Sequence, residues 1–165
     1  MKDLNFADIG KLLIKLQYLE TLMKLLISLF NSDIKGKKKY KIKDLSARNI
    51  LDDNTEKTRQ TLGQLMNVLK SEMPNFDNEE FEELLAKRNR FIHSFHKEFL
   101  SNKNFDDKEV ALFIKELWLL ADKYTKIFTG FISLAAKLIG KGKISVAGID
   151  EDEKYLYEYL IGNNS

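Results

Sequence analysis

Between Asp107 and Ile139 an apolar residue recurs every three or four positions: Val110, Ile114, Leu117, Ala121, Tyr124, Phe128, Phe131, Ala135 and Leu138. That spacing marks one face of an α-helix, whereas a half-buried strand would alternate at every residue. No proline interrupts it, since the single proline of the 165 residues is Pro74. The rest of the chain repeats the same period and has few β-branched runs, so the expected fold class is all-α. A first helix is expected from about Asn5 to Phe30, with Phe6, Ile9, Leu13, Leu16, Leu19, Met23, Leu26 and Phe30 on its stripe. Lys15, Gln17, Glu20 and Lys24 break the apolar region Leu12 to Phe30, which makes it amphipathic and not a membrane span. A second helix is expected from about Asn54 to Glu72, with Leu62, Leu65, Met66 and Leu69 on one face and Pro74 ending the region.

Two later helix starts resemble each other, "NFDNEEF" from Asn75 and "NFDDKEV" from Asn104. In each an aspartate, Asp77 or Asp106, is placed to cap the helix, with Glu80 or Glu109 three residues on as in a capping box. Phe76 and Phe105 precede these caps and are placed to staple onto Phe81 and Val110. A third helix is therefore expected from about Asn78 to Asn102 and a fourth from Asp107 to about Ile139, stopped by Gly140 to Gly148. The length suits one domain. The tail 141–165 is expected to hold a short helix with Tyr155, Tyr157 and Tyr159. Between Lys35 and Lys43 stand six lysines and no acid, so residues 31–43 are expected to form an exposed basic loop. The net charge is only +2, so charge balance alone does not mark a nucleic-acid binder. The absence of cysteine excludes disulfides, thiolate metal sites and cysteine nucleophiles. It fits a reducing cytosol, and the first residues lack the apolar run of a signal peptide, so a cytoplasmic location is expected.

The third helix holds an anomaly. At about 100° per residue, Phe81, Leu84, Leu85, Phe91, Ile92, Phe95 and Phe99 form an apolar arc. Glu83, Lys87, Arg90, Ser94 and Lys97 form a solvated arc opposite. Glu82, Asn89, His93 and His96 line one border of the apolar arc, and Arg88 falls near its middle. A guanidinium there must snorkel, find an acid or face a cleft. Glu20, which interrupts the first helix's stripe near Leu16 and Met23, is the acid on offer. Arg88 then either fixes helix packing or serves a site. His93 and His96 are either border histidines bonded to backbone or water, or site residues. A metal site is not expected, because no paired-ligand motif accompanies these two histidines.

Arg88-Asn89-x-x-x-His93 resembles the Arg-x4–6-His signature of HEPN domains, the higher eukaryote and prokaryote nucleotide-binding superfamily. Asn89 matches the polar residue that often follows the family's arginine, and the motif lies on a late helix of a small all-helical chain, as the family has it. The resemblance implies a four-to-five-helix up-and-down bundle over residues 1–140. It also implies a metal-independent endoribonuclease without cofactor, of the kind found in toxin–antitoxin, abortive-infection and anti-phage systems. Such proteins act as homodimers with a composite site, and a partner protein or antitoxin restrains some of them. The resemblance assigns Arg88, Asn89 and His93 to catalysis, with His96, Glu20 and Glu82 as secondary candidates. RNA phosphates would meet Lys37, Lys38, Lys39 and Lys41, and Tyr40 would stack on a base. A non-catalytic helical module that binds a partner protein or nucleotide is the alternative. In one group of the family the motif continues as His-x-Tyr and the tyrosine is modified by the antitoxin. This chain has Phe95 there, so silencing at that position is not available.

Overall fold

The structure is a computed structural model that describes residues 6–31, 62–101, 106–141 and 151–162. Outside the described residues lie the lysine-rich segment with Lys37, Lys38, Lys39, Tyr40 and Lys41, the expected helix start 54–61, Asn102 and Phe105. The side chains of Phe30, Leu62, Leu138 and Tyr157 lie outside them too. All described elements are helical: α1 (Phe6–Asn31), α2 (Leu62–Glu72), α3 (Glu79–His93), α4 (Asp107–Lys141) and α5 (Glu151–Gly162). A 3-10 turn, Pro74–Phe76, and a π turn, His96–Leu100, join them. None of these helices is long and apolar enough to cross a membrane.

The core is one cluster drawn from every element. The α4 stripe faces it as the spacing requires: Val110, Ile114, Leu117, Ala121, Tyr124 and Phe128 are buried. α1 packs on α4 and buries Leu12, Leu16, Leu19, Met23, Leu26 and Ile27 in the core. Phe6 and Leu13 do not belong to that face and are 58% and 39% exposed. Leu12 and Leu13 are adjacent leucines 100° apart, and the one in register with Leu16, Leu19 and Met23 is Leu12. α5 lies along α4 and adds Leu156 and Tyr159 to the core.

The start of α3 differs from expectation. Asn78, not Asp77, is the N-cap: its backbone is extended and its side-chain oxygen accepts the Phe81 N–H at 2.9 Å. Asp77 is exposed and pairs with Lys70 at 3.1 Å, and Glu80 pairs with Lys123 instead of closing a capping box. Asn78 wins because only an amide offers donors as well as an acceptor. Its Nδ2 donates to the Asn75 carbonyl at 2.7 Å and to the Tyr159 hydroxyl at 2.9 Å. The aromatic contact expected across this turn does form, with the Phe76 and Phe81 rings 5.4 Å apart. Phe76 is fully buried and also meets Tyr124, Phe128, Phe131 and Tyr159. At α4 the expected cap holds: Asp106 accepts the Lys108 N–H at 2.9 Å.

α3 does not run unbroken to Asn102. It ends at His93, with Ser94 donating its N–H to the Arg90 carbonyl, and the π turn follows. The cause lies in Phe91, Phe95 and Phe99, spaced four apart and all buried. In a regular helix each such step drifts by about 40°. The wider turn, closed by Ser101 N–H to the His96 carbonyl at 2.8 Å, winds less per residue and returns Phe99 to the core. Phe95 and Phe99 pack with Phe113 of α4, and Phe91 packs on Phe95.

Candidate functional site

α3 runs antiparallel to α4, as three links show in order: Glu80 to Lys123, Lys87 to Glu116, and Arg90 stacked on Phe113. This registers one flank of α3 and turns the opposite flank towards α1. Arg88 lies on that side, at a shallow depression lined by Leu16, Leu19 and Met23 of α1 and Leu84 and Leu85 of α3. Its NH2 group donates to Glu20 Oε2 at 3.0 Å, and its NH1 group to Asn89 Oδ1 at 3.2 Å. The Arg88 and Glu20 side chains are 20% and 24% exposed, so the pair sits at the rim of the core and within reach of water. A guanidinium has five N–H donors. Two are used here, and the remaining three have no protein partner among the described residues.

Glu20 has a second cation. Its Oε1 pairs with Lys24 Nζ at 3.2 Å, one turn along α1. Sequence reasoning singled out Glu20 but not Lys24. The signal was present, because a Glu followed four residues later by Lys on a helix makes this pair by default.

The border residues are separated more than the wheel implies. Asn89, His93 and His96 are exposed, and neither imidazole hydrogen-bonds a described residue. His93 is the last residue of α3, whereas His96 opens the π turn, so the two are not on one regular helix. Glu82 pairs with Lys70 of α2. Ile92, expected in the apolar arc, is 37% exposed and stands one residue from His93. Of the solvated arc, Lys87 is half-buried between Glu83 and Glu116. Partial burial works against its charge, but the hydrogen bonds to those two carboxylates prevail and raise its pKa. Phe95, at the position two beyond His93, is 5% exposed and held by Phe91, Phe99 and Phe113.

Chemically the site offers a permanently charged guanidinium, a neighbouring amide, and an accessible imidazole five residues on. No group of three or more metal-ligating side chains occurs among the described residues. No protein-family model matches the chain, and no curated protein or solved structure matches it significantly either.

Proposed function

We propose that the protein is a metal-independent endoribonuclease of the HEPN type, with the family's up-and-down bundle, serving in the cytoplasm as a toxin or anti-phage effector. The observation that carries this is the placement of Arg88. Its guanidinium is held at the edge of the core by Glu20 and Asn89, has three donors without a partner among the described residues, and precedes an exposed His93 by five residues. RNA supplies its own nucleophile, the 2′-hydroxyl, so the reaction needs no metal or cofactor. The 2′ oxygen bonds to phosphorus and the P–O5′ bond breaks. One proton leaves the 2′-hydroxyl, one is taken up by the 5′ oxygen, and the products are a 2′,3′-cyclic phosphate and a 5′-hydroxyl. His93, whose imidazole can take up or give a proton, serves one of these transfers. Arg88 stabilises charge on the phosphorane oxygens.

Positions five apart on a helix diverge by about 140°. A composite site across a homodimer two-fold axis therefore suits Arg88 and His93 better than a site within one chain. Exposed Ile92 between them supplies an apolar contact for that pairing. The lysines at 37, 38, 39 and 41 and Tyr40 would bind the RNA strand with strong salt dependence. A restraining partner would act elsewhere than Phe95, which offers no hydroxyl and is buried.

Purified protein should cut single-stranded RNA in excess EDTA, and Arg88→Ala and His93→Ala should each abolish cutting with helical circular dichroism intact. Full activity in both variants would sink the assignment. The Arg88–Glu20 pair also favours a second reading, in which Arg88 only locks α3 to α1 in a non-catalytic module that binds a partner protein or nucleotide. That version requires a marked fall in melting temperature for Arg88→Ala and no cleavage by the wild type at any concentration.

A further inference from the structure

The proposed reaction uses Arg88 and gives no part to the carboxylate that holds it. Glu20 places one oxygen on Arg88 at 3.0 Å and the other on Lys24 at 3.2 Å. Lys24 is itself largely covered, with a side chain 15% exposed, so its charge is directed at this spot and not spread into solvent. Two cations from two helices thus converge on one pair of oxygens. A phosphate group presents the same pair of anionic oxygens to an arginine fork and a lysine.

We propose that Glu20 is an internal occupant of an oxyanion site built by Arg88 and Lys24, and that a phosphate group of the ligand displaces it. The proposal rests on the function assigned to Arg88 above. Its physical logic is that two partly desolvated cations at the rim of an apolar core repel each other when nothing lies between them. The carboxylate lies between them and cancels one of their two charges while the site is empty. Glu20 has a flexible stem and stands at the rim, so it can swing into solvent when a phosphate arrives. Displacement subtracts from affinity, and weak single anions are rejected while a phosphodiester held by further contacts is accepted. Glu20 would then be a specificity-determining residue and Lys24 a phosphate ligand.

The test measures binding, not cleavage. Inorganic phosphate and a DNA oligonucleotide, which has no 2′-hydroxyl and is not cut, are titrated into the wild type and variants by calorimetry. Glu20→Gln should bind both about five- to tenfold more tightly, the scale of one charge-assisted contact. Phosphate should raise its melting temperature more than that of the wild type. Adding Lys24→Met to Glu20→Gln should cancel most of the gain. Glu83→Gln makes the same change in net charge beside Lys87, on the other flank, and should alter affinity less than about twofold. Equal gains in Glu20→Gln and Glu83→Gln, or no gain in a folded Glu20→Gln, would overturn the proposal. If Glu20→Gln does not fold, Glu20→Asp keeps the charge but withdraws it by about 1.5 Å, one bond length. A gain of about threefold there supports exchange and no gain refutes it. Gain only with the oligonucleotide would place the ligand phosphate in a nucleic-acid strand, and gain with both would admit a free phosphate. Exchange without RNA cleavage would sink the nuclease assignment alone, and cleavage without exchange would sink this inference alone.

Discussion

Replacing Asn78 is the sharpest probe of how the motif helix is anchored. Its side chain makes four hydrogen bonds: Oδ1 accepts from Phe81 N–H at 2.9 Å and the Tyr124 hydroxyl at 3.2 Å, and Nδ2 donates to Asn75 O and Tyr159 Oη. Removing an N-cap of this kind costs about 1 kcal/mol. Each further part-buried bond adds about 1 kcal/mol, and some of that returns when water reaches the freed groups. Asn78→Ala should therefore lose about 3 kcal/mol. Asn78→Asp retains the cap acceptor, loses both donors, and turns a carboxylate towards the Asn75 carbonyl. It should lose about 2 kcal/mol. Asp77→Ala removes only an exposed partner of Lys70 and should lose less than about 0.5 kcal/mol. Urea unfolding followed by helical circular dichroism gives all three numbers. A double-mutant cycle between Asn78→Asp and Tyr159→Phe should show coupling of about 1 kcal/mol, since the two share a bond across the chain. If Asp77→Ala costs as much as Asn78→Ala, the cap is at Asp77 and the reasoning fails.

Phe95→Tyr should lose about 1–3 kcal/mol in the same unfolding experiment, because the added hydroxyl must give up water to enter a buried cluster of aromatic rings. A stable Phe95→Tyr would mean that the position is open enough to be modified. Asp122 and Tyr124 each make stability depend on pH. The Lys15 hydrogen bond at 2.5 Å, aided by Lys126, outweighs partial burial and holds Asp122 below the usual carboxylate value. That stabilisation is present above about pH 3.9 and is lost as pH falls through the depressed folded value, so Asp122→Asn should flatten the acid limb of the stability curve. Burial, with Tyr159 and Glu80 beside it, pushes the Tyr124 phenol well above its ordinary value. Its contribution is full below about pH 10 and is lost as pH rises further, so Tyr124→Phe should weaken the alkaline decline.

What could be read from the sequence was what depends on one helix at a time. The α4 stripe and the Asp106 cap are local, and both hold. Arg88 and Glu20 were legible together for a different reason: a charge in each of two apolar stripes calls for a partner, and each was the other's nearest solution. The misses arise where a distant residue decides. Asp77 and Asn78 are equal candidates within any short window, and the donor requirement that selects Asn78 comes from Tyr159, 81 residues away. The register that exposes Leu13 and buries Leu12 is set by packing on α4, and the break at Ser94 follows from three phenylalanines four apart that are all buried.

The energetic weight of Arg88 follows from the same geometry, and it separates the two readings of the site. A fully exposed pair is worth about 0–1 kcal/mol, whereas stripping one partner from a buried pair costs about 3–5 kcal/mol. Arg88–Glu20 lies between these limits, with both side chains about one-fifth exposed. Losing Arg88 also does not strand Glu20, because Lys24 remains on its other oxygen. Arg88→Ala should therefore cost about 1–2 kcal/mol, or about 2–8 °C in melting temperature at this size. A domain with about 5–15 kcal/mol of stability stays folded after that loss. Abolished cleavage in a variant destabilised so little would reflect the chemistry of the guanidinium. Arg88→Lys, which keeps the charge but not the fork, should recover part of the stability and little of the activity. A loss of 4 kcal/mol or more would instead put Arg88 among the residues that hold α3 to α1, and the site would then have to be argued from His93 alone.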